Sequence, residues 1–504
     1  MSLLGIDIGT TGCKAAVFSE KGQMLAFAYQ EYHYKSPKPG WAQLDTIDVW
    51  KKVKFAIGKA ISCCDAATIQ ALCVSSMGEA LVPVSMDRKI LGPSILNFDK
   101  RGSEYLDDLN SLLPKERLYD ISGNTLGNHF SLTKLKWIKE NQPEIYQKTN
   151  KFLPWVGFVS FMLGADPIVD YSLANRTLLF DVNHESWSEE IIGLSKLDYT
   201  KLPAVSASGT VIGTVSNQIA DELGLPQGVA IVNGAHDQCA NAVGCGAIVE
   251  GRTLLGMGTF ICAAPVFSNR KKPEMMIKRG LNTEHHAIPG KYVTFIYNQG
   301  GSIIKWYRDT FALIEHQQCT VEGKDIYTKL FSEMPNAPSR TIVLPYFAST
   351  GFPDFNTETS GVIAGLKLDT ERGEILKGMT EGVIFDLKEY IDSLPPTGIN
   401  ITDFRVVGGG SKSNVWIQTC ADILGLPLSR PEITESGAIG SAITAGVGIG
   451  VFPSFKEGVA SMVRLERNFA PNPQIQSKYE NRFEKYYQLK LLLKNYLKEL
   501  SQDD

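Results

Sequence analysis

Acidic, hydroxyl and basic side chains surround two glycines near the start of the chain, in the segment Asp-Ile-Gly-Thr-Thr-Gly-Cys-Lys from Asp7 to Lys14. Glycine allows backbone amides to approach an anion closely, and Thr10, Thr11 and Lys14 add hydroxyl donors and a positive charge. A polyphosphate would fit such a turn. Asp7 tolerates phosphate nearby where Mg²⁺ or its water shell intervenes. A plain hairpin explains the same residues, and one turn by itself favours that simpler interpretation.

Two further glycine clusters follow predicted strands. Gly256-Met257-Gly258-Thr259 repeats the strand, turn, strand setting, so two facing hairpins could clamp one phosphate chain. Gly408-Gly409-Gly410 instead leads from a strand into the predicted helix Val415–Leu424. Taken alone, this third cluster is an ordinary strand-to-helix connection or a Rossmann-like turn. Its significance comes from being the third glycine cluster at a strand end.

Asp237 is the candidate for proton chemistry. It follows the predicted strand Val229–Val232 and precedes a predicted small-residue helix, Cys239–Gly246. An aspartate in that position is most often a helix N-cap, and the local pattern slightly favours this interpretation. The alternative is a general base that accepts the proton of an attacking hydroxyl, nearly the only proton chemistry that phosphoryl transfer requires. His236 is predicted to be a packing residue.

The composition excludes several classes of protein. The chain has 504 residues, with 50 Lys plus Arg against 54 Asp plus Glu, a net charge of -4 and 43% hydrophobic residues. A chain of this length is larger than one small domain, and it lacks the excess of basic residues that nucleic-acid binding needs. The chain is also too apolar for a disordered protein. Its 46 glycines belong either to flexible linkers or to tight turns, and their position at strand ends favours turns.

The pattern predicts two similar sets of antiparallel strands, because the gaps between them are too short for crossover helices. The first set is Leu3–Gly9, Lys14–Ser19 and Met24–Tyr32, and the second is Arg252–Gly256, Phe260–Phe267 and Gly290–Asn298. Each set is followed by a predicted helix, and further apolar strands are expected at Ile69–Ser75 and Phe404–Val407. The predicted helices are Asp45–Ser62 and Ser302–Phe311. We therefore expect two α/β lobes, residues 1–247 and 248–504, with a boundary near Gly246–Gly251.

The remaining features indicate a cytoplasmic location. The nine cysteines contain no C-x-x-C pair and lie in apolar or glycine-rich runs, as reduced thiols do. The N-terminus lacks a secretory signal pattern, and the uncharged run Ser436–Phe455 is too rich in glycine for a membrane span, so a buried small-residue helix is expected.

The tail Gln476–Asp504 is predicted to be an amphipathic helix that packs on the surface. Neither a nucleic-acid nor a membrane partner is expected, whereas a homodimer is compatible with the sequence.

Together these motifs resemble the FGGY family of carbohydrate kinases, within the actin-like ATPase superfamily. The match spans nearly the whole chain, in the family's order. The motifs are Asp7–Gly12, Pro39–Asp45, Gly234–Gln238, Gly258-Thr259 and Gly408–Asn414. The resemblance implies a two-lobe, actin-like (ribonuclease H-like) α/β fold with duplicated mixed-sheet cores and an interlobe cleft that holds ATP and Mg²⁺.

The resemblance also assigns roles to individual residues. It makes Asp237 the general base, against the local preference for an N-cap, and places Asp7 and Asp237 beside the metal. It also implies three sets of nucleotide contacts. The terminal phosphates would meet Thr10, Thr11 and Lys14, and the phosphate chain would meet Gly258, Thr259 and Gly301. The adenosine would meet Gly409, Gly410 and Asn414.

The expected sugar pocket departs from familiar members of the family. Xylulose kinases typically carry Met-His-Gly where this chain has Met77-Gly78-Glu79; glycerol kinases carry an Arg-Glu pair there, and autoinducer kinases a similar Ser-Met-x-Glu-Gly. Glu79 either accepts hydrogen bonds from sugar hydroxyls or caps a neighbouring turn, and the sequence favours neither. The other pocket candidates are Asp237, Gln238, Trp41, Asp99 and Arg101; core packing is the alternative for Trp41, and a surface ion pair is the alternative for Asp99 with Arg101.

The sequence thus predicts ATP-dependent phosphorylation of a hydroxyl of a small sugar or polyol, with a ketopentose such as xylulose as the leading substrate. Glycerol, erythritol, another ketose or an autoinducer-like polyol are alternatives. A second hypothesis is a sensor that binds nucleotide and sugar without turnover, since the Met-His-Gly is missing. The presence of Asp7, Thr11, Asp237 and Thr259 argues against the sensor hypothesis, because a protein that only binds nucleotide and sugar needs no general base.

Overall fold

The computed structural model describes residues 1–348, 350–351 and 358–501. Two large mixed sheets form the framework, the first within residues 2–236 and the second within residues 252–469. Helices cover both sheets. Within the described residues, no helix is long and apolar enough to span a bilayer.

The elements of the first half alternate between strands and helices. They are β1 Ser2–Ile8, β2 Gly12–Ser19, β3 Met24–Glu31, β4 Gln43–Leu44, α1 Thr46–Ile61, β5 Ile69–Ser76, β6 Leu81–Val84, β7 Ser94–Ile95, α2 Leu106–Leu112, α3 Lys115–Ser122, α4 Ser131–Asn141, α5 Pro143–Lys148, β8 Lys151–Pro154, α6 Trp155–Leu163, β9 Ile168–Asp170, α7 Tyr171–Asn175, β10 Phe180–Asp181, β11 Ser186–Trp187, α8 Glu189–Leu194, β12 Ala204–Ser206, β13 Val211–Thr214, α9 Asn217–Leu223, β14 Ala230–His236 and α10 Asp237–Cys245.

The second half repeats the opening hairpin and adds longer helices. Its elements are β15 Arg252–Met257, β16 Phe260–Phe267, α11 Pro273–Lys278, β17 Glu284–His285, β18 Tyr292–Val293, β19 Ile296–Gln299, α12 Gly301–Phe311, α13 Leu313–Glu322, α14 Ile326–Ser332, β20 Ile342–Leu344, β21 Val362–Ala364, α15 Arg372–Asp392, β22 Asp403–Val407, α16 Asn414–Leu424, β23 Leu428–Pro431, α17 Ser436–Gly448, α18 Phe455–Met462, β24 Leu465–Phe469 and α19 Pro473–Leu500.

The first sheet has the strand order β13-β14-β5-β1-β2-β3. Strand β2 is antiparallel to both of its neighbours, β1 and β3, as predicted, whereas β1, β5 and β14 run parallel. Because parallel strands end at the same edge, the ends of these three strands meet. In the register of the sheet, Ser76 lies opposite Ile8 on one side and His236 on the other.

The second sheet has the order β17-β18-β16-β15-β22-β23-β24, with β19 also paired to β16. The antiparallel hairpin β15–β16 beside the parallel strand β22 repeats the arrangement of β1, β2 and β5. The predicted third strand, Gly290–Asn298, is divided into β18 and β19. The interruption falls at Thr294 and Phe295, where the Asn282 side-chain oxygen accepts hydrogen bonds from the Thr294 hydroxyl and the Phe295 amide.

Helix α17 lies against the first sheet although it comes from the C-terminal part of the chain. A methyl group on Gly5 of β1 would lie 1.8 Å from the carbonyl oxygen of Ala438. The same helix contacts α10 backbone to backbone, since a methyl group on Gly440 would lie 1.9 Å from the oxygen of Ala240. The small residues of Ser436–Phe455 therefore serve close packing, and the helix ends at Gly448, before the left-handed Gly450.

The predicted C-terminal helix is confirmed as α19, although residues 502–504 lie outside the described part of the chain. Its inward face carries Tyr479, Tyr486 and Leu497, all buried. Leu491 and Leu492 of the same helix are exposed. All nine cysteines are unpaired, in agreement with the predicted reduced state.

Candidate active site

The first glycine turn lies at the edge where β1, β5 and β14 end. The Gly9 amide donates to the Gly12 carbonyl at 2.9 Å, and the Tyr32 hydroxyl donates to the Gly9 carbonyl at 2.6 Å. These bonds fix the turn as a tight hairpin that leaves Thr11 exposed and Thr10 half-buried. The hydroxyls of Thr10 and Thr11, predicted to contact phosphate, thus lie on a hydrogen-bonded turn at the sheet edge and are at least partly open to solvent.

Asp7 and Lys14 lie opposite each other across this hairpin. The Ser75 hydroxyl donates to Asp7 Oδ1 at 2.7 Å, and the Lys14 ammonium lies 2.5 Å from the carboxylate of Glu435. Burial raises the pKa of Asp7, while the charge of Lys14 opposes this shift. A Cβ atom on Gly437 would lie 2.8 Å from Asp7 Cγ, so the start of α17 directly covers this carboxylate.

Asp237 is the first residue of α10, and the N-cap of that helix is His236. The N-cap interpretation of Asp237 is therefore wrong. Its Oδ1 accepts a hydrogen bond from the Gln238 side-chain amide at 3.2 Å and lies 3.3 Å from His236 Nε2. Burial, with a further contribution from the negative charge of Asp7, raises the pKa of Asp237 to about 7. A carboxylate with such a pKa can both accept and release a proton near neutral pH.

His236 is buried beside this carboxylate. Its ring packs edge-on against Phe295, with the ring centroids 5.3 Å apart, and its backbone amide donates to the Ser172 hydroxyl at 2.9 Å. Burial, together with the nearby Arg176 charge, lowers the pKa of His236 well below its ordinary value. The imidazole is therefore neutral, in keeping with its predicted packing role.

The second glycine turn packs against the start of α12. The Gly301 amide donates to the Gly258 carbonyl at 2.9 Å, and the Ser302 amide donates to the Thr259 carbonyl at 3.1 Å. A Cβ on Gly301 would lie 2.6 Å from Gly258 oxygen, so only glycine allows this approach. Gly258 and Thr259 are exposed at the tip of the hairpin. The three predicted phosphate-chain residues are thus brought together.

The third glycine cluster lies next to the second turn, because Val407 pairs with Gly256 in the parallel strands β22 and β15. Gly408 has φ 87°, and a Cβ there would lie 2.9 Å from the Met257 carbonyl oxygen. Gly409 borders open space, whereas Gly410 lies against the Trp416 ring. Asn414 begins α16 in an exposed position.

The edges of the two sheets face each other. The clearest contact joins Gln238, beside the candidate base, to Gly256 of β15, where a Cβ would lie 3.7 Å from the Gln238 side-chain oxygen. Lys14 and Glu435 form a second contact, between the first turn and the residue that precedes α17. The first turn, Asp237 and the second turn therefore border one region between the halves.

Glu79 is buried with φ 45°, a backbone conformation that is rare for residues other than glycine. Its side chain forms an ion pair with Arg176, and its carbonyl oxygen accepts a 2.5 Å hydrogen bond from the Ser131 hydroxyl. Arg176 in turn lies 2.7 Å from Glu284. The sequence analysis missed Arg176 and Glu284; the one local signal is that Arg176 is a cation within the otherwise uncharged run 171–180.

Asp99 and Arg101 form an ion pair that is buried, with exposed fractions of 1% and 4%, so the surface interpretation is wrong. The pair is enclosed because the Arg101 guanidinium stacks over Trp41 at 4.1 Å and the Asp99 carboxylate accepts the Ala42 amide at 2.5 Å. Trp41 is half-buried and also packs edge-on against Trp137. These residues hold the segment around Trp41 against the loop at 97–101.

Family models match both halves of the chain. The N-terminal domain of the FGGY family of carbohydrate kinases matches residues 2–244, and the C-terminal domain of that family matches residues 280–449. Among curated relatives, the chain is 26% identical to glycerol kinase of Solidesulfovibrio magneticus, covering 93% of this chain and 94% of the relative. It is 25% identical to xylulose kinase of Bacillus subtilis, covering 96% and 95%.

Solved structures share the fold over nearly the full length. Xylulose kinase from Rhodospirillum rubrum superposes with a TM-score of 0.86 at 23% identity, covering 99% of this chain and 100% of the other. Gluconate kinase from Lactobacillus acidophilus superposes with a TM-score of 0.85 at 21% identity, covering 98% of both chains. The actin-like ATPase fold expected from the motifs is thereby confirmed. The chain belongs to the FGGY family of carbohydrate kinases, phosphotransferases that use ATP and an alcohol acceptor.

Proposed function

We propose that the enzyme transfers the γ-phosphoryl group of ATP to a hydroxyl of a ketopentose such as xylulose, with Asp237 as the general base. The position of Asp237 carries this proposal: the carboxylate is mostly buried, close to Asp7, at the edge where three parallel strands end and opposite the second glycine turn. Relatives named xylulose kinase, at about the same identity as those named glycerol kinase, support a small polyhydroxylated acceptor.

The proton transfer balances as follows. The substrate hydroxyl oxygen forms a bond to the γ-phosphorus, the bond from that phosphorus to the bridging oxygen breaks, and ADP leaves with the electron pair. The hydroxyl proton passes to Asp237. We assign Oδ2 as the acceptor atom, because Gln238 and His236 already lie within 3.2 and 3.3 Å of Oδ1.

The glycine turns supply the phosphate contacts in this proposal. Thr10, Thr11 and Lys14 meet the terminal phosphates from the first half, while Gly258, Thr259 and Gly301 meet the phosphate chain from the second half. Gly409, Gly410 and Asn414 hold the adenosine. The adjacency of the second turn to the Gly408–Gly410 cluster supports a single nucleotide that spans both.

Asp7 and Asp237 are suited to hold Mg²⁺ through its water shell. Carboxylate oxygens are the ligands that Mg²⁺ prefers. Burial is the main cause of the raised pKa of Asp237, and the smaller contribution from the charge of Asp7 is of the kind that a divalent cation would relieve. When bound, Mg²⁺ neutralises phosphate charge; Asp7 would orient it through the oxygen that Ser75 leaves unused.

The sugar pocket in this proposal is formed by Met77, Gly78, Glu79 and Gln238, with Trp41 and Asp99 farther along the same half. Glu79 is the acceptor for sugar hydroxyls. Glycerol is the second candidate substrate, because glycerol kinases are among the relatives and Glu79 is an acid at the place where they carry one.

ADP release, measured with pentuloses, hexuloses, pentitols, erythritol and glycerol, tests the substrate. We expect the highest kcat/KM with a ketopentose. A higher value with glycerol would replace the leading substrate, and tight ATP binding without ADP release for any acceptor would favour the sensor hypothesis. Light scattering on the same sample tests whether the chain forms a homodimer.

A further inference from the structure

Three buried charged side chains lie together near the candidate base, and the proton transfer uses none of them. The exposed fractions are 6% for Glu79, 8% for Arg176 and 1% for Glu284. The Arg176 guanidinium contacts Glu79 through Nη2 and Glu284 through Nη1, the latter at 2.7 Å. Glu79 and Arg176 come from the N-terminal half, whereas Glu284 comes from the C-terminal half. We call these three residues the Arg176 cluster.

Glu284 is held in place by residues of the C-terminal half. The Asn282 side-chain amide donates to Glu284 Oε1 at 2.5 Å, and the Asn282 oxygen accepts hydrogen bonds from Thr294 and Phe295 at 2.8 and 2.9 Å. These bonds occupy the backbone interruption between two strands. The carboxylate of Glu284 is therefore preorganised, and it is presented to Arg176 as a fixed negative charge.

The guanidinium of Arg176 is equally constrained. Its flat group lies near the rings of Phe130 and Phe295, at 5.6 and 5.8 Å from their centroids. Its Nε atom is buried and has no hydrogen-bond partner among the described residues. A Cβ on Gly78 would lie only 3.1 Å from this Nε, so the glycine leaves room beside a donor that is still unused.

The Arg176 cluster and the candidate base border the same space. A Cβ on Gly78 would lie 3.4 Å from the His236 ring, and that ring lies 3.3 Å from Asp237. Beside Gly78 there are thus two carboxylates, Glu79 and Glu284, against the single guanidinium of Arg176. Sugar hydroxyls can donate to these carboxylates, whereas an anionic acceptor would meet a net negative charge at short range.

We propose that Arg176 and Glu284 are specificity-determining residues that restrict the acceptor to an uncharged sugar or polyol and reject sugar acids. This inference rests on the proposed function, which places Glu79 and Asp237 in the sugar pocket. Arg176 is the group that would otherwise attract a carboxylate, and Glu79 and Glu284 together more than neutralise its charge. The fold itself does not impose this restriction, since a solved structure of the same fold is a gluconate kinase.

Matched pairs of acceptors test the proposal through ADP release. The pairs are xylulose with xylonate and glycerol with glycerate. For the wild-type enzyme, we expect kcat/KM for the better neutral acceptor to exceed that for its acid by about 100-fold, because like charges in a buried site repel strongly. In Glu284→Gln, which keeps the shape and one acceptor oxygen but removes the charge, we expect this ratio to fall by about tenfold.

A matched control is Glu374→Gln, which removes the carboxylate of another ion pair, with Arg340, remote from the cluster. Its ratio should equal that of the wild type. An unchanged ratio in Glu284→Gln would overturn the role of Glu284. If that variant does not fold, two other measurements decide: the same kcat/KM ratio in Arg176→Lys, and the calorimetric affinity of the wild type for xylulose and for xylonate. Equal affinity of the wild type for both would overturn the proposal.

The outcomes also separate this inference from the proposed substrate. A wild-type enzyme that prefers glycerol to xylulose, and rejects glycerate, would contradict the ketopentose proposal and support the restriction to neutral acceptors. A wild-type enzyme that phosphorylates xylonate or glycerate as well as their neutral partners would overturn the restriction and leave the kinase assignment intact.

Discussion

The Lys14 ammonium lies 2.5 Å from the Glu435 carboxylate, so the cation of the first glycine turn has a protein anion as its partner. In the proposed function, Glu435 competes with the terminal phosphates for Lys14. Replacing Glu435 by Gln should tighten ATP binding by about threefold to tenfold, because it removes a negative charge beside the expected phosphates. Calorimetry gives the dissociation constant. Asp87→Asn, which affects an exposed ion pair in a hairpin, is the control, and weaker ATP binding in Glu435→Gln would contradict this role.

Asp237→Asn tests the general base. We expect kcat to fall by about 10²–10⁴-fold, the usual contribution of a positioned base, while ATP affinity changes little. Single-turnover measurements of sugar phosphate, together with calorimetry of ATP, separate the two effects. Retention of more than about a tenth of the wild-type kcat would rule out Asp237 as the proton acceptor.

The raised pKa of Asp237 predicts the pH dependence of activity. The base must be ionised to accept a proton, and its pKa is about 7. In the free enzyme, kcat/KM should therefore increase with pH and level off above this value. Glu381 is also buried with a pKa of about 7 but lies elsewhere, so Glu381→Gln should keep the profile. A profile that is flat between pH 6 and 8 would show that another group accepts the proton.

The same shift predicts the effect of Asp237 on stability. The folded protein holds this proton more tightly than the unfolded chain, so unfolding releases protons between about pH 4 and 7 and stability falls across that range. Above pH 7 the buried charge is fully present. Asp237→Asn should therefore be more stable than the wild type by about 1–3 kcal/mol at pH 8 and nearly equal to it at pH 4. Urea unfolding at both pH values measures this difference, and an equal gain at both would contradict it.

The close contact of α10 with α17 predicts sensitivity to one methyl group. Gly440→Ala places that methyl 1.9 Å from the Ala240 carbonyl oxygen, so the helices must separate. We expect a loss of stability of about 2–4 kcal/mol, the range of severe overpacking. Gly193→Ala in α8, where the added methyl would meet no atom within 4 Å apart from the backbone of its own helix and its chain neighbours, is the control. A thermal midpoint equal to that of the control would show that the helices adjust freely.

The sequence pattern predicted most of the central strands and all three glycine turns. These features are local: alternation of apolar residues defines the strands, and glycine with hydroxyl residues marks the turns. The strand predicted at Gly290–Asn298 is an instructive exception. Its local pattern is continuous, and the interruption arises from Asn282, whose side chain takes hydrogen bonds at the middle of the segment.

The Arg176 cluster could not be predicted, for a related reason. Glu79, Arg176 and Glu284 are far apart in the chain and meet only because the halves pack together. Burial of the Asp99–Arg101 pair likewise depends on the stacking of Trp41 over the guanidinium. Charged residues two positions apart are usually exposed, and nothing in the local sequence shows that an aromatic ring from another segment covers them.

Helix α17 has a consequence for the order of events during synthesis. Gly5 of the first strand meets Ala438, so one face of the first sheet gains the cover of this helix only after residues 436–448 have been synthesised. The first sheet therefore cannot complete its packing while the N-terminal half is the only part of the chain that has been made.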